Sequence, residues 1–189
     1  MLGDRFRRAL ACAYDLHRGQ VRKGSKEIPY IGHLLGVTSI VIEDGGDEDE
    51  AIAALLHDGP EDQGGKPTLD RIRAEFGDRV ARIVEGCSDT LEDPKPPWRE
   101  RKEAYLAHLE HAPPEVLRVS LADKLHNARA ILSDYREVGE ELWSRFKGTR
   151  EESLWYYRSL SEIFARRYSG PLAEELETTV NEIEALAGD

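Results

Sequence analysis

Apolar residues recur along this chain at intervals of three and four, and no run of β-branched residues alternates with polar ones, so the pattern predicts helices throughout. In the first segment, about 4–17, Phe6, Leu10, Ala13 and Leu16 fall on one face and Gly19 marks the exit. The stretch QVRKGSKEIPYIGH reads as a loop. In it Pro29 presets an extended entry to a helix of about 32–44, which is expected to bury Leu35, Val37, Ile40 and Val41. A third helix, about 48–58, is apolar on its inner side at Ile52, Ala53, Leu55 and Leu56, which places it at the centre of a bundle.

Thr68 is read as the N-cap of a helix of about 69–76 that Gly77 ends, and another follows over about 78–87. Pro94, Pro96 and Pro97 stiffen the next loop, which is placed to cover a site before a helix of about 98–111. Pro113 and Pro114 open a long helix of about 115–135, whose Val116, Val119, Leu121, Ala122, Leu125, Ala128 and Leu132 form a broad apolar face. Segments of about 140–146, 150–168 and 171–186 complete the helical pattern, the last acidic and amphipathic. The expected architecture is an all-α bundle of about eight to ten helices. It forms one domain over 1–189, with the helices from about 139 packed on the core.

Composition agrees with a folded, helix-rich chain: 40% of the 189 residues are hydrophobic and 33% charged. A net charge of −11, with acidic residues concentrated at 43–50, 151–152 and 174–184, argues against DNA, RNA or an anionic membrane as partner. An anionic substrate therefore requires a local basic pocket or a bound cation. Asp4, Arg5, Arg7 and Arg8 interrupt the N-terminal segment, and no run approaches the ~20 apolar residues that cross a bilayer, so a cytoplasmic location is expected. Cys12 and Cys87 stand far apart and read as buried thiols without a disulfide or metal role.

Ionisable groups inside apolar helices are costly and need a reason. AIAALLHDGPED sets His57 and Asp58 at the end of the most apolar helix, SLADKLHNAR sets Asp123 and Asn127 one turn apart in the long one, and PYIGH sets His33 at a helix start. Taken singly, each has an ordinary structural explanation: His57–Asp58 as a helix end, Asp123 as the partner of a buried cation. Together they offer two imidazoles and two carboxylates, a donor set suited to Mn²⁺, Fe²⁺, Zn²⁺ or Co²⁺ rather than to Ca²⁺ or an all-oxygen Mg²⁺ site. An ion with coordination positions left open acidifies water and polarises a phosphoryl oxygen. Arg22, Lys23 and Lys26 near His33, and Arg99, Arg101 and Lys102 beside the proline-rich loop, are candidates to grip phosphate. His17, His108, His111 and His126 read as structural or exposed, and Trp143, Trp155, Tyr156 and Tyr157 as mostly core, with one tyrosine reaching the pocket rim.

The ordered set GQVRKGSKEIPYIGHLLGV, AALLHDGPED, FGDRVARIVEGCSDT and SLADKLHNAR resembles the HD hydrolase domain of the RelA/SpoT alarmone family, in particular its small stand-alone hydrolases, including the metazoan form. The resemblance implies that His33, His57, Asp58 and Asp123 bind Mn²⁺, or another divalent transition metal. It also implies that Glu61 and Asp62 orient or activate the attacking water, that Arg22 and Lys23 pack on the base and steady phosphate, and that Asn127 contacts the ribose. Spacing agrees, since Glu61 is four residues from His57 and Asp62 four from Asp58. Proline at 60 removes a backbone donor and predicts a new helical turn, which bears on where Glu61 and Asp62 point.

The activity so implied is hydrolysis of a nucleotide 3′-diphosphate, ppGpp or ppApp, by water attacking the 3′ phosphorus, with release of pyrophosphate. No synthetase activity is expected, and the partner is a small nucleotide, with a homodimer left open. Two alternatives stand beside it: a phosphatase acting on another nucleotide, such as NADPH or a nucleoside monophosphate, and a non-hydrolytic nucleotide sensor.

Overall fold

A computed structural model describes residues 1–23, 27–92 and 94–188. Among them are ten α-helices, α1 (Asp4–Leu16), α2 (Ile31–Glu43), α3 (Glu48–Leu56), α4 (Gly59–Asp62), α5 (Gly65–Phe76), α6 (Asp78–Cys87), α7 (Trp98–Leu109), α8 (Pro114–Val138), α9 (Arg150–Arg167) and α10 (Pro171–Gly188). A 3-10 segment, Gly139–Arg145, joins α8 to the loop before α9. The described residues contain no β-strand; an isolated antiparallel bridge pairs Val21 with Pro29 and closes the loop between α1 and α2.

Two helices carry the core. In α3 every residue from Glu50 to Leu56 is buried, and α1, α2, α6 and α8 pack around it. Its start is set locally: Asp47 Oδ1 accepts from the Glu50 amide at 3.1 Å while Glu50 Oε2 accepts from the Asp47 amide at 2.8 Å, a reciprocal cap. The long helix α8 buries Val116, Val119, Leu121, Ala122, Leu125, Ala128 and Leu132 as its apolar face requires. Both α9 and α10 pack on α8, the latter also through the Arg129–Glu175 and Arg136–Glu182 ion pairs. No helix among the described residues is long and apolar enough to cross a membrane.

Four local expectations are revised. Leu35 was expected in the core, yet it is 45% exposed while Leu34 is fully buried. Helix α2 is apolar on most sides, so periodicity alone does not select a face; packing against α3 and α8 does. Helix α5 begins at Gly65, not at Leu69, so Thr68 is no cap; its hydroxyl donates to the Gln63 carbonyl from inside the first turns, where Pro67 is tolerated. The third helix stops at Leu56 and a separate turn, α4, follows. The segment 140–146 forms 3-10 rather than α-helix. Cys12 and Cys87 are both free, the first half-buried and the second buried.

Candidate functional site

The break between α3 and α4 presents the HD pair. Pro60 lies in the first turn of α4, where its missing amide costs nothing, and the ladder restarts with Asp62 N–H to Asp58 O at 2.9 Å and Gln63 N–H to Gly59 O at 2.8 Å. Asp58 precedes this turn but makes no side-chain cap, so its carboxylate is left for other partners. His33 comes from the first turn of α2 and Asp123 from the middle of α8. His33 Nε2 lies 3.4 Å from Asp58 Oδ2 and 3.1 Å from Asp123 Oδ1. His57 Nε2 lies 3.1 and 3.5 Å from the same two oxygens.

These four side chains therefore form a ring of alternating nitrogen and oxygen. His33, His57 and Asp58 each offer a ligand atom within 4.8 Å of the others, a group that could hold a metal ion. Donors that share one ion at about 2.0–2.2 Å stand roughly 3.0–3.5 Å apart, which is the spacing found here. The ring states fit as well. His57 Nδ1 donates to the Ala54 carbonyl at 2.9 Å, which fixes the ring with Nε2 turned toward Asp58 and Asp123, the nitrogen that would offer a lone pair to an ion once deprotonated. Burial opposes charge on His57, but Asp58 and Asp123 outweigh it and push the ring well above its ordinary pKa; the same spot attracts any cation.

The carboxylates are held in turn. Tyr30 donates its hydroxyl to Asp58 Oδ2 at 2.7 Å, Lys124 Nζ donates to Asp123 Oδ2 at 2.6 Å, and Asn127 Nδ2 donates to Asp123 Oδ1 at 2.7 Å. Burial alone would raise the Asp123 carboxyl, yet Lys124 and the two histidines hold it well below the usual range. Arg22 Nη2 donates to Asn127 Oδ1 at 2.8 Å, extending the chain of contacts from the ring outward. His126 Nδ1 stands 3.0 Å from His33 Nδ1, and burial together with the neighbouring His33 and Arg22 lowers its pKa to about 4.

Beside this ring opens a cleft of about 560 Å³ lined by Arg22, Lys23, Asp58, Glu61, Asp62, Lys102 and Asn127 among the residues expected from the sequence. Glu61 and Asp62 thus face the same space as Asp58 despite the proline between them. Glu61 pairs with Lys95 at 3.1 Å, and its carboxyl is raised first by burial and then by the charges of Asp89 and Asp58. Lys102 donates to Asp89 at 2.7 Å while its ammonium sits 4.9 Å over the Tyr156 ring.

Not every expected cation is there. Arg99 pairs with Glu103 and stacks 3.4 Å from the Trp155 ring centre, outside the cleft. Arg101 lines it but is buried, committed to Asp89 and the Pro96 carbonyl. Lys26 lies outside the described residues. Conversely, Lys95, Lys124, Arg145, Lys147, Tyr30, Tyr156 and Tyr157 line the cleft without having been singled out as cleft residues, apart from the one tyrosine expected there. Lys95 had a signal in its place within the proline-rich loop and Lys124 in its adjacency to Asp123; the residues of the 3-10 region had none.

The chain matches the family described as HD domain over residues 9–152. It is 40% identical over 134 residues to the guanosine-3′,5′-bis(diphosphate) 3′-pyrophosphohydrolase MESH1 of Xenopus tropicalis, covering 70% of each chain. With the Homo sapiens protein of the same name it shares 38% over 133 residues, 69% of each. Among solved structures it resembles a metazoan ortholog of SpoT that hydrolyzes ppGpp, with a TM-score of 0.77 over 100% of this chain and 98% of that one, at 24% identity; that likeness is one of fold.

Proposed function

Since the chain belongs to the HD-domain family, alongside vertebrate pyrophosphohydrolases, we propose that it hydrolyses a nucleotide 3′-diphosphate, ppGpp or ppApp, releasing pyrophosphate. One observation carries this reading: a ring of two imidazoles and two carboxylates stands at a cleft whose walls hold Arg22, Lys23, Lys95, Lys102 and Lys124, in a chain whose net charge is −11. The net charge repels anions from the molecule as a whole, and the cations of this cleft offset that repulsion locally.

His33, His57, Asp58 and Asp123 are the proposed metal ligands, and their mixed donors suit Mn²⁺ among the divalent transition metals. A divalent ion bound there supplies Lewis acidity, polarising a phosphoryl oxygen and making water easier to deprotonate. The chain's own groups do the rest. Glu61, with a raised pKa and Lys95 beside it, takes the proton from the attacking water, and Asp62 orients that water. The water oxygen bonds to the 3′ phosphorus, the bond from that phosphorus to the 3′ oxygen breaks, and the proton taken up by Glu61 passes to that oxygen, so that pyrophosphate and a nucleoside 5′-di- or triphosphate with a free 3′ hydroxyl are released. Lys102 and Lys124 offset charge on the phosphates, Arg22 and Lys23 hold the base and phosphate side, and Asn127 meets the ribose. Cleft residues from the C-terminal part, Arg145, Lys147, Ser153, Tyr156 and Tyr157, favour reading 1–189 as one functional unit.

Purified protein supplied with Mn²⁺ and offered ppGpp, ppApp, NADPH and nucleoside monophosphates is the direct test. Pyrophosphate released from one or both alarmones, and lost in Glu61→Gln, is the expected result. Phosphate from NADPH or a monophosphate alone would reassign the substrate, and tight nucleotide binding without turnover under any metal would make the protein a sensor.

A further inference from the structure

The two histidines of the ring are fixed by different devices. His57 is held by a backbone carbonyl, which can only accept, so its Nδ1 must carry the proton. His33 has no such partner; its Nδ1 faces another imidazole, His126 Nδ1, at 3.0 Å, with ring centres 4.8 Å apart and planes at 64°. For His33 Nε2 to offer a lone pair between Asp58 and Asp123, its own proton must sit on Nδ1. His126 Nδ1 must then be the acceptor and carry its own proton on Nε2.

Room for this contact comes from one missing side chain. Gly36 lies one helical turn after His33 on α2, and a Cβ there would stand 2.3 Å from His126 Nε2 and 2.4 Å from its Cδ2. His126 itself lies one turn after Asp123 on α8. The two helices that deliver His33 and Asp123 thus also deliver a slot and the ring that fills it.

We propose that His126, seated in the Gly36 slot, is a positioning residue that sets the tautomer and orientation of His33 for metal binding, an inference that rests on His33 being a ligand. Outer partners of this kind commonly set metal affinity by roughly 10–100-fold. His126→Phe keeps a ring in the slot and removes the acceptor; His126→Asn keeps an acceptor close to where Nδ1 stands.

The test is the Mn²⁺ dissociation constant of the metal-stripped full chain, read from free Mn²⁺ by electron paramagnetic resonance, together with its thermal unfolding. His126→Phe is expected to weaken binding roughly 10–100-fold, while His126→Asn stays within about threefold of the parent. Binding by His126→Phe as tight as the parent's, or equal losses in both variants, overturns the inference. Should His126→Phe fail to fold, Gly36→Ala, which displaces the ring without removing its acceptor, is expected to show the same loss, and parental affinity in that variant would overturn it. His33→Ala separates the two levels: Mn²⁺ binding undiminished there refutes the ligand assignment itself, whereas its loss there with parental affinity in His126→Phe refutes only the role of His126.

Discussion

Gln20 donates its side-chain Nε2–H to Asp62 Oδ2 at 2.8 Å, joining the loop after α1 to the rim of the cleft. The amide is held on its other side too, since its Oε1 accepts from Gln63 Nε2 at 2.7 Å and meets His17 Nδ1 at 2.8 Å. Asp62 is exposed, so this contact supplies its orientation where packing does not.

Replacing Gln20 with Leu is therefore expected to lower turnover roughly tenfold, the equivalent of about 1.4 kcal/mol of barrier. Mn²⁺ affinity should not change, because the side-chain hydrogen bonds of Gln20 go to His17, Asp62 and Gln63 and not to the ring residues. Parallel measurement of kcat and of the Mn²⁺ dissociation constant checks this; a parental kcat would show that Asp62 needs no help.

Glu61 sets a pH dependence. Burial, followed by the charges of Asp89 and Asp58, raises its carboxyl above the ordinary glutamate value, and Lys95 opposes the rise. As a base it works only when deprotonated, so the acid limb of kcat/KM should lie above the usual glutamate range. Lys95→Met removes the opposing charge and should move that limb to still higher pH. The same raised pKa means that the protonated form favours the fold, a contribution present at low pH and lost as pH rises through the folded value. A pH–rate profile in which Lys95→Met leaves the limb in place, or moves it down, contradicts the assignment.

Metal removal should cost stability. An ion held at a concentration one hundred times its dissociation constant contributes about 2.7 kcal/mol, which for a chain of this length is roughly 5–11 °C in Tm. Differential scanning calorimetry before and after chelation, then after adding back Mn²⁺, measures it. An unchanged Tm would mean that the ring of His33, His57, Asp58 and Asp123 holds no ion.

The face of α2 is testable by itself. Leu34 is fully buried and Leu35 is 45% exposed, so Leu34→Ala should destabilise by about 2–5 kcal/mol. Leu35→Ala should stay within about 0.5 kcal/mol of the parent. Urea denaturation of the two variants decides it, and comparable losses would mean that the wrong face of α2 has been assigned to the core.

Some of this was legible in the chain alone. Three- and four-residue periodicity is a property of consecutive residues, so the helices and the apolar faces of α3 and α8 could be read directly. His33, His57, Asp58 and Asp123 stood out because each interrupts or ends an apolar run, where an ionisable group needs a reason. Both kinds of signal are local.

Tertiary structure decided the rest, because it depends on which faces meet. Leu34 rather than Leu35 enters the core only when α2 is laid against α3 and α8. Arg99 and Lys102 are three residues apart on one helix, yet one stacks on Trp155 outside the cleft and the other enters it. The pairings of Gln20 with Asp62 and of His126 with His33 join residues 42 and 93 positions apart. Distances of 2.8 and 3.0 Å between such residues are fixed by the packing of separate helices, which no pattern along a single helix encodes.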